Sequence, residues 1–260
     1  MTTPPTGRER LLSTTGGTNR EAFGTTEWGL LAAVALIWGS SFLFMAIGLE
    51  TLEPGVITLV RVALGTSAIA LFRRSRQPVD RSDLPRIALL GTIWIGVPLT
   101  LFPIAQQWID SSVAGMLNAA VPITTAAWAT VLLRRLPGWR QTVGITVGFI
   151  GVVMISYPEV SRSSATALGT GLVLAAVVMY GLATNLAVPL QQKYGSLPVL
   201  LRAQLVALIV VLPLGLAQLG DSSWSIRSAA AMVPLGVLGT GVAFALMTTL
   251  VGRVGAARGS

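Results

Sequence analysis

Apolar residues in this chain come in long unbroken runs, not in the short alternations that would mark half-buried strands. Runs at 28–48, 54–72, 87–107, 112–133, 141–157, 168–189, 197–219 and 229–251 are each about 17 to 25 residues long, which at ~1.5 Å rise per residue is enough to cross a ~30 Å hydrocarbon core. They predict eight membrane-spanning helices. The run from Trp28 to Gly48 contains no charged residue and carries Ile37-Trp38-Gly39-Ser40-Ser41-Phe42 at its middle. The connections are short, which makes sequential helices antiparallel neighbours, and Pro54, Pro198 and the Leu136-Pro137-Gly138 turn lie at or near span boundaries.

Composition removes the soluble alternatives. Hydrophobic residues are 53% of the chain and charged residues 11%, against about a quarter charged in an ordinary soluble domain. With no Cys and no His, thiol nucleophiles, imidazole bases and the usual zinc sites are absent, so neither catalytic nor metal-ligating residues are expected, and no cofactor. No Asp or Glu falls inside the eight runs, so a carboxylate proton relay of the usual kind is not visible there.

The net charge of +8 reflects orientation in the bilayer, not nucleic-acid binding, because the basic residues sit in the connections. Fourteen of them fall on one side: Arg8, Arg10, Arg20, Arg73, Arg74, Arg76, Arg81, Arg86, Arg134, Arg135, Arg140, Lys193, Arg253 and Arg258. Only Arg162 and Arg227 fall on the other, with Glu50, Glu53, Asp110, Glu159 and Asp221, while Arg61 and Arg202 lie inside spans. The positive-inside rule then places the amino terminus in the cytoplasm of a multi-pass inner-membrane protein. The polar stretch 1–27 reads as a disordered tail.

The chain also matches itself at a shift of 142 to 145 residues. Trp38-Gly39 pairs with Tyr180-Gly181, Pro54 with Pro198, Val62-Ala63-Leu64 with Val206-Ala207-Leu208, Leu90-Gly91 with Leu235-Gly236 and Gly96-Val97 with Gly241-Val242. The shift grows smoothly, as small loop insertions would make it. The first unit, 28–157, holds five spans, so the second, 168–260, enters the membrane from the opposite face as an inverted repeat. Only three of its spans are present, which predicts a ten-helix fold lacking about two helices at the carboxyl end.

Four places then carry a resemblance: the Ile37 to Phe42 run, Pro54 followed by Arg61, Pro122, and Gln141-x-x-Gly144 leading to Gly151-Val152. Together they resemble the EamA-type branch of the drug/metabolite transporter superfamily, and the ending from Gly255 to Ser260 resembles the entry to that family's ninth helix. The chain departs at Arg134-Arg135, where the family commonly has Gly-Glu. The resemblance implies an all-α polytopic fold of two inverted five-helix repeats, and transport, often export, of small organic metabolites such as amino acids.

Candidates for a solute cavity are polar or aromatic groups deep in spans. Trp38, Ser41, Phe42 and Met45 share one helix face, and the repeat places Tyr180 at the position equivalent to Trp38. Arg61 is costly within a span unless it pairs, faces water or reaches the interface, and a solute carboxylate would suit it. Asn118, Asn185 and Gln204 complete the set, with interhelical hydrogen bonding as the competing use of each. Gly144-x-x-x-Gly148 with Gly151, Gly29-x-x-x-Ala33 and Gly171-x-x-x-Ala175 are read as surfaces for close helix contact, within the chain or in a homodimer.

A small-molecule permease working by alternating access is therefore expected, with the bilayer and a small solute as partners. A shortened, non-transporting paralogue or assembly partner is the alternative. A multi-span enzyme lacks the catalytic groups it would need.

Overall fold

The computed structural model describes residues 14, 24–134, 138–254 and 256, without the side chains of Arg140 and Gln141. The tail at 1–27 and the ending at 255–260 lie largely outside them, as do Leu136 and Pro137 of the turn. The described residues form helices and no strand, in eight rods: α1 (Thr25–Gly48), α2 (Pro54–Ala70), α3 (Arg81–Ala105), α4 (Ser111–Leu133), α5 (Trp139–Arg162), α6 (Ser164–Tyr194), α7 (Ser196–Ala217) and α8 (Ile226–Val254). Seven are long and apolar enough to cross a membrane, and α2 is a shorter apolar helix of 17 residues. The protein is a polytopic helical membrane protein.

Local chemistry sets the boundaries. Pro54 occupies the first turn of α2, where its missing N–H costs nothing, after an extended Glu53. Gly195 ends α6 at φ +79°, a conformation easy for glycine, and turns the chain straight into α7. Ser163 alone separates α5 from α6; it is extended, and its hydroxyl accepts from Thr166 N at 3.1 Å to cap α6.

At the end of α4, Arg134 is left-handed, with φ +51° and ψ +38°, the one non-glycine at positive φ among the described residues. This is where the sequence departs from the family's Gly-Glu. The conformation costs an L-residue about 1–2 kcal/mol, so Arg134→Gly is expected to gain ~0.5 kcal/mol after the added freedom of the unfolded chain is subtracted. A melting curve in detergent checks it: an unchanged or lower midpoint would mean that the turn carries no such strain.

Two helices depart from regular α geometry at related places. α3 is π-helical over Gly91–Gly96 and α8 over Pro234–Val242. Gly91 and Gly236, and Gly96 and Gly241, are pairs at the 145-residue shift. Each widened turn rests on another helix through a glycine: a Cβ built on Gly91 would lie 2.5 Å from Ala203 O of α7, and one on Gly236 would lie 3.0 Å from Arg61 O of α2. The packing partners exchange in the same way, α1 and α2 lying on α8, and α6 and α7 on α3.

Ties between connections define the two ends of the bundle. At one, Ser223 N donates to Thr51 O at 2.8 Å and Arg227 pairs with Glu50 at 3.2 Å, joining the α1–α2 and α7–α8 connections. At the other, Lys193 Nζ lies 2.7 Å from Asp80 and 2.9 Å from Asp83, and Arg202 donates to Gln77 O at 2.7 Å. Lys193, and after it the Tyr194 hydroxyl, hold the Asp80 carboxyl below its ordinary value.

Glycines also decide the tightest helix contacts, though not the ones expected. Cβ atoms built on Gly29, Gly144, Gly151 and Gly171 would meet nothing within 4 Å, so of the glycines in those patterns only Gly148, against Ile123, makes a close approach. The close approaches belong instead to Gly55 and Gly215 between α2 and α7, to Gly91 and Gly236, and to Gly181, where α6 crosses α4. α5 has no buried residue described and presents Val147, Phe149, Ile150 and Met154 outward, as a lipid-facing helix does.

Candidate functional site

At mid-bundle, α1, α2, α3, α4 and α6 line a small cavity of about 30 Å³, bounded by Trp38, Ser41, Phe42, Met45, Arg61, Leu99, Phe102, Asn118 and Tyr180. Six of the eight residues singled out from the sequence meet here. A larger recess of about 330 Å³ adjoins it and shares Trp38, Phe42, Asn118 and Tyr180. α4 is interrupted between Asn118 and Val121, which leaves Asn118 at the end of its first segment, beside the cavity.

The aromatic walls brace one another. Phe42 meets Phe102 edge-on at 5.5 Å between ring centroids, Phe102 stacks on Tyr180 at 5.9 Å, and Trp38 meets Phe244 edge-on at 5.3 Å. The Ser41 hydroxyl donates to Ile37 O of its own helix, leaving its oxygen able to accept.

The π-helical turn of α8 serves as the anchor. Its wider coil makes main-chain carbonyls reachable by side chains: Trp38 Nε1 donates to Gly239 O at 3.0 Å and Gln204 Nε2 to Thr240 O at 2.7 Å. Arg61 Nε donates to Thr240 Oγ1 at 3.1 Å. Arg61 is 2% exposed and so does not snorkel outward. No ion pair is formed by Arg61 among the described residues, and its Nη1 is buried without a hydrogen-bond partner.

Two candidates stand elsewhere. Asn185 is fully enclosed and donates to Thr125 O and Gly181 O, each at 2.9 Å, tying α6 to α4; Gln204 ties α7 to α8. Neither lines this cavity. Leu99 and Phe102 line it but were not singled out: both are apolar, and their sequence signal is no more than a place between Pro98 and Pro103. Thr240 and Gly239 were equally silent. No group of His, Cys, Asp and Glu suited to a metal occurs among the described residues.

A helical bundle that crosses the membrane repeatedly and encloses a small amphipathic cavity at its middle is the architecture of a membrane transporter. The EamA-like transporter family model matches residues 27–157, half of the chain, and the chain belongs to that family. It is 27% identical over 229 residues to an uncharacterized transporter of Archaeoglobus fulgidus, covering 88% of this chain and 78% of that protein. It is 30% identical over 136 residues to the uncharacterized inner membrane transporter YedA of Escherichia coli (strain K12), covering 50% of this chain and 43% of that one. A solved structure described only as a crystal structure of a protein shares the fold at a TM-score of 0.65 and 14% identity, over 89% of this chain and 80% of the other.

Proposed function

We propose that this protein moves small organic metabolites, amino acids or related compounds, across the inner membrane by alternating access, with its amino terminus in the cytoplasm. The observation that carries the reading is the mid-bundle cavity whose walls include Trp38 of α1 and Tyr180 of α6, counterparts at the 142-residue shift. A pocket lined by equivalent helices of two oppositely oriented units can be exposed to either side in turn as the units rock. The matched π-helical turns and exchanged packing partners support the inverted repeat. The basic end of the bundle, with Arg73, Arg74, Arg76, Arg86, Lys193 and Arg202, supports the orientation.

Counterflow in sealed proteoliposomes tests this. Vesicles preloaded with an unlabelled amino-acid mixture are expected to accumulate one or more labelled members well above protein-free vesicles. Absence of flux for amino acids and for related acids would overturn the reading, and reporter tags showing 28–157 and 168–260 inserted the same way up would remove its mechanism.

A further inference from the structure

We propose a binding site for an anionic phospholipid at the basic end of the bundle, with the lipid phosphate held by Arg73 and Arg74 and the acyl chains lying against Leu71 and Phe72.

Beyond α2 the chain makes a short helical turn, Arg73–Arg76, preceded by an extended Phe72. The turn is held from α7: Arg202 donates to Ser75 O at 3.4 Å and to Gln77 O at 2.7 Å, while the enclosed Ser75 donates its hydroxyl to Phe72 O at 2.7 Å. Arg76 is used locally, its Nε and Nη2 donating to Ala70 O at 3.0 and 2.7 Å, which satisfies a carbonyl that the end of α2 leaves open. Arg73 and Arg74 are exposed, and among the described residues neither side chain forms a hydrogen bond or an ion pair. The carboxylates of the same connection are occupied: Asp80 and Asp83 lie 2.7 and 2.9 Å from Lys193 Nζ and accept from the Tyr194 hydroxyl at 2.8 and 2.6 Å. Two adjacent guanidinium groups are therefore carried on a braced turn without an internal counter-charge.

Depth decides the partner. The apolar run 54–72 is ~28 Å long at helical rise, so Arg73 and Arg74 fall at the edge of a ~30 Å hydrocarbon core, where lipid phosphates lie. Leu71 is 79% exposed and Phe72 56% exposed, immediately on the apolar side of the two arginines. A soluble anion or an acidic protein segment would use the charges and leave these two side chains bare. A phospholipid uses both, because its phosphate oxygens fit the forked guanidinium donors and its chains cover the leucine and the phenylalanine. The headgroup is anionic and not zwitterionic, since an ammonium of its own would bring a third positive charge up to the arginine pair.

The full chain in detergent is mixed with phosphatidylglycerol or with phosphatidylcholine of the same acyl chains, and retained lipid is counted by native mass spectrometry while melting is followed in parallel. Phosphatidylglycerol is expected to bind about ten-fold or more tightly and to raise the melting temperature, and both effects should shrink as salt is added. Arg73→Gln combined with Arg74→Gln should lose about ten-fold or more of that affinity, while Arg162→Gln, which alters an exposed arginine at the opposite end, should lose none. Both replaced side chains are exposed and unpaired, so lipid-free melting of the double variant should match the wild type. Leu71→Ser combined with Phe72→Ser should weaken binding with the arginines intact. Equal retention of the two lipids, or unchanged affinity in the double arginine variant, would overturn the proposal. Inorganic phosphate or an acidic peptide binding as tightly as phosphatidylglycerol would overturn the lipid as occupant. The site shares no residue with the mid-bundle cavity, so none of these outcomes bears on the transport reading.

Discussion

Gly181→Val is expected to unfold the bundle where Gly171→Val, ten residues earlier on the same helix, does almost nothing. A Cβ on Gly181 would lie 2.5 Å from Thr124 Oγ1, 2.6 Å from the Thr124 carbonyl carbon and 2.7 Å from Thr125 N, and two of those atoms are main chain and cannot rotate away. A Cβ on Gly171 would meet nothing within 4 Å. Overpacking of this kind costs about 1–3 kcal/mol, and more when backbone must shift. Separating α4 from α6 also strains the bonds that cross the same seam: Thr124 Oγ1 to Val177 O at 2.9 Å, Trp128 Nε1 to Val178 O at 3.1 Å and Asn185 Nδ2 to Thr125 O at 2.9 Å. Interhelical bonds of this type contribute ~0.6 kcal/mol each on average, so a total loss of about 3 kcal/mol or more is expected. Melting of the two variants in detergent measures it; equal midpoints would show that the α4–α6 contact is not close.

Trp38→Ala should give the second large effect, and Trp38→Phe divides its causes. The indole does three things at once: it forms a wall of the cavity, it packs edge-on against Phe244, and its N–H holds Gly239 O on the π-helical turn. Alanine removes all three and should cost about 3 kcal/mol, with solute flux falling more than ten-fold. Phenylalanine keeps an aromatic wall and the contact with Phe244 but cannot donate, so its stability loss should stay near 1 kcal/mol. If the wall matters for solute, Trp38→Phe will change KM with only a small shift in melting. If Trp38 only fills space, KM will stay unchanged in both variants at temperatures where they remain folded.

The expected positions of the eight spans were close to those observed, because the signal is local. Each run either can or cannot satisfy its own backbone in hydrocarbon, and no partner is needed to decide that. Boundaries moved outward where polar residues continue a helix past the apolar run: α6 reaches Tyr194 where 189 was expected, and α8 begins at Ile226 where 229 was expected. Arg61 and Trp38 were legible as unusual because burying a cation or an indole N–H requires a partner whatever the fold. Asn185 and Gln204 looked equally suitable, and went to main-chain carbonyls of neighbouring helices instead.

The sequence by itself determined that this chain crosses a membrane many times and which family it resembles. Both follow from hydropathy, charge and residue identity read along one dimension. Which faces meet was decided only in the tertiary structure. Helices apolar on every side carry no amphipathic phase to say which side turns inward, so Leu99 and Phe102 gave no warning that they line the cavity, and Gly181 looked no different from Gly171. The π-helical turn of α8 that anchors Trp38, Arg61 and Gln204, like its counterpart in α3, comes from the same source: the two turns form where α8 and α3 are pressed against α2 and α7, and that pressure exists only once the bundle has closed.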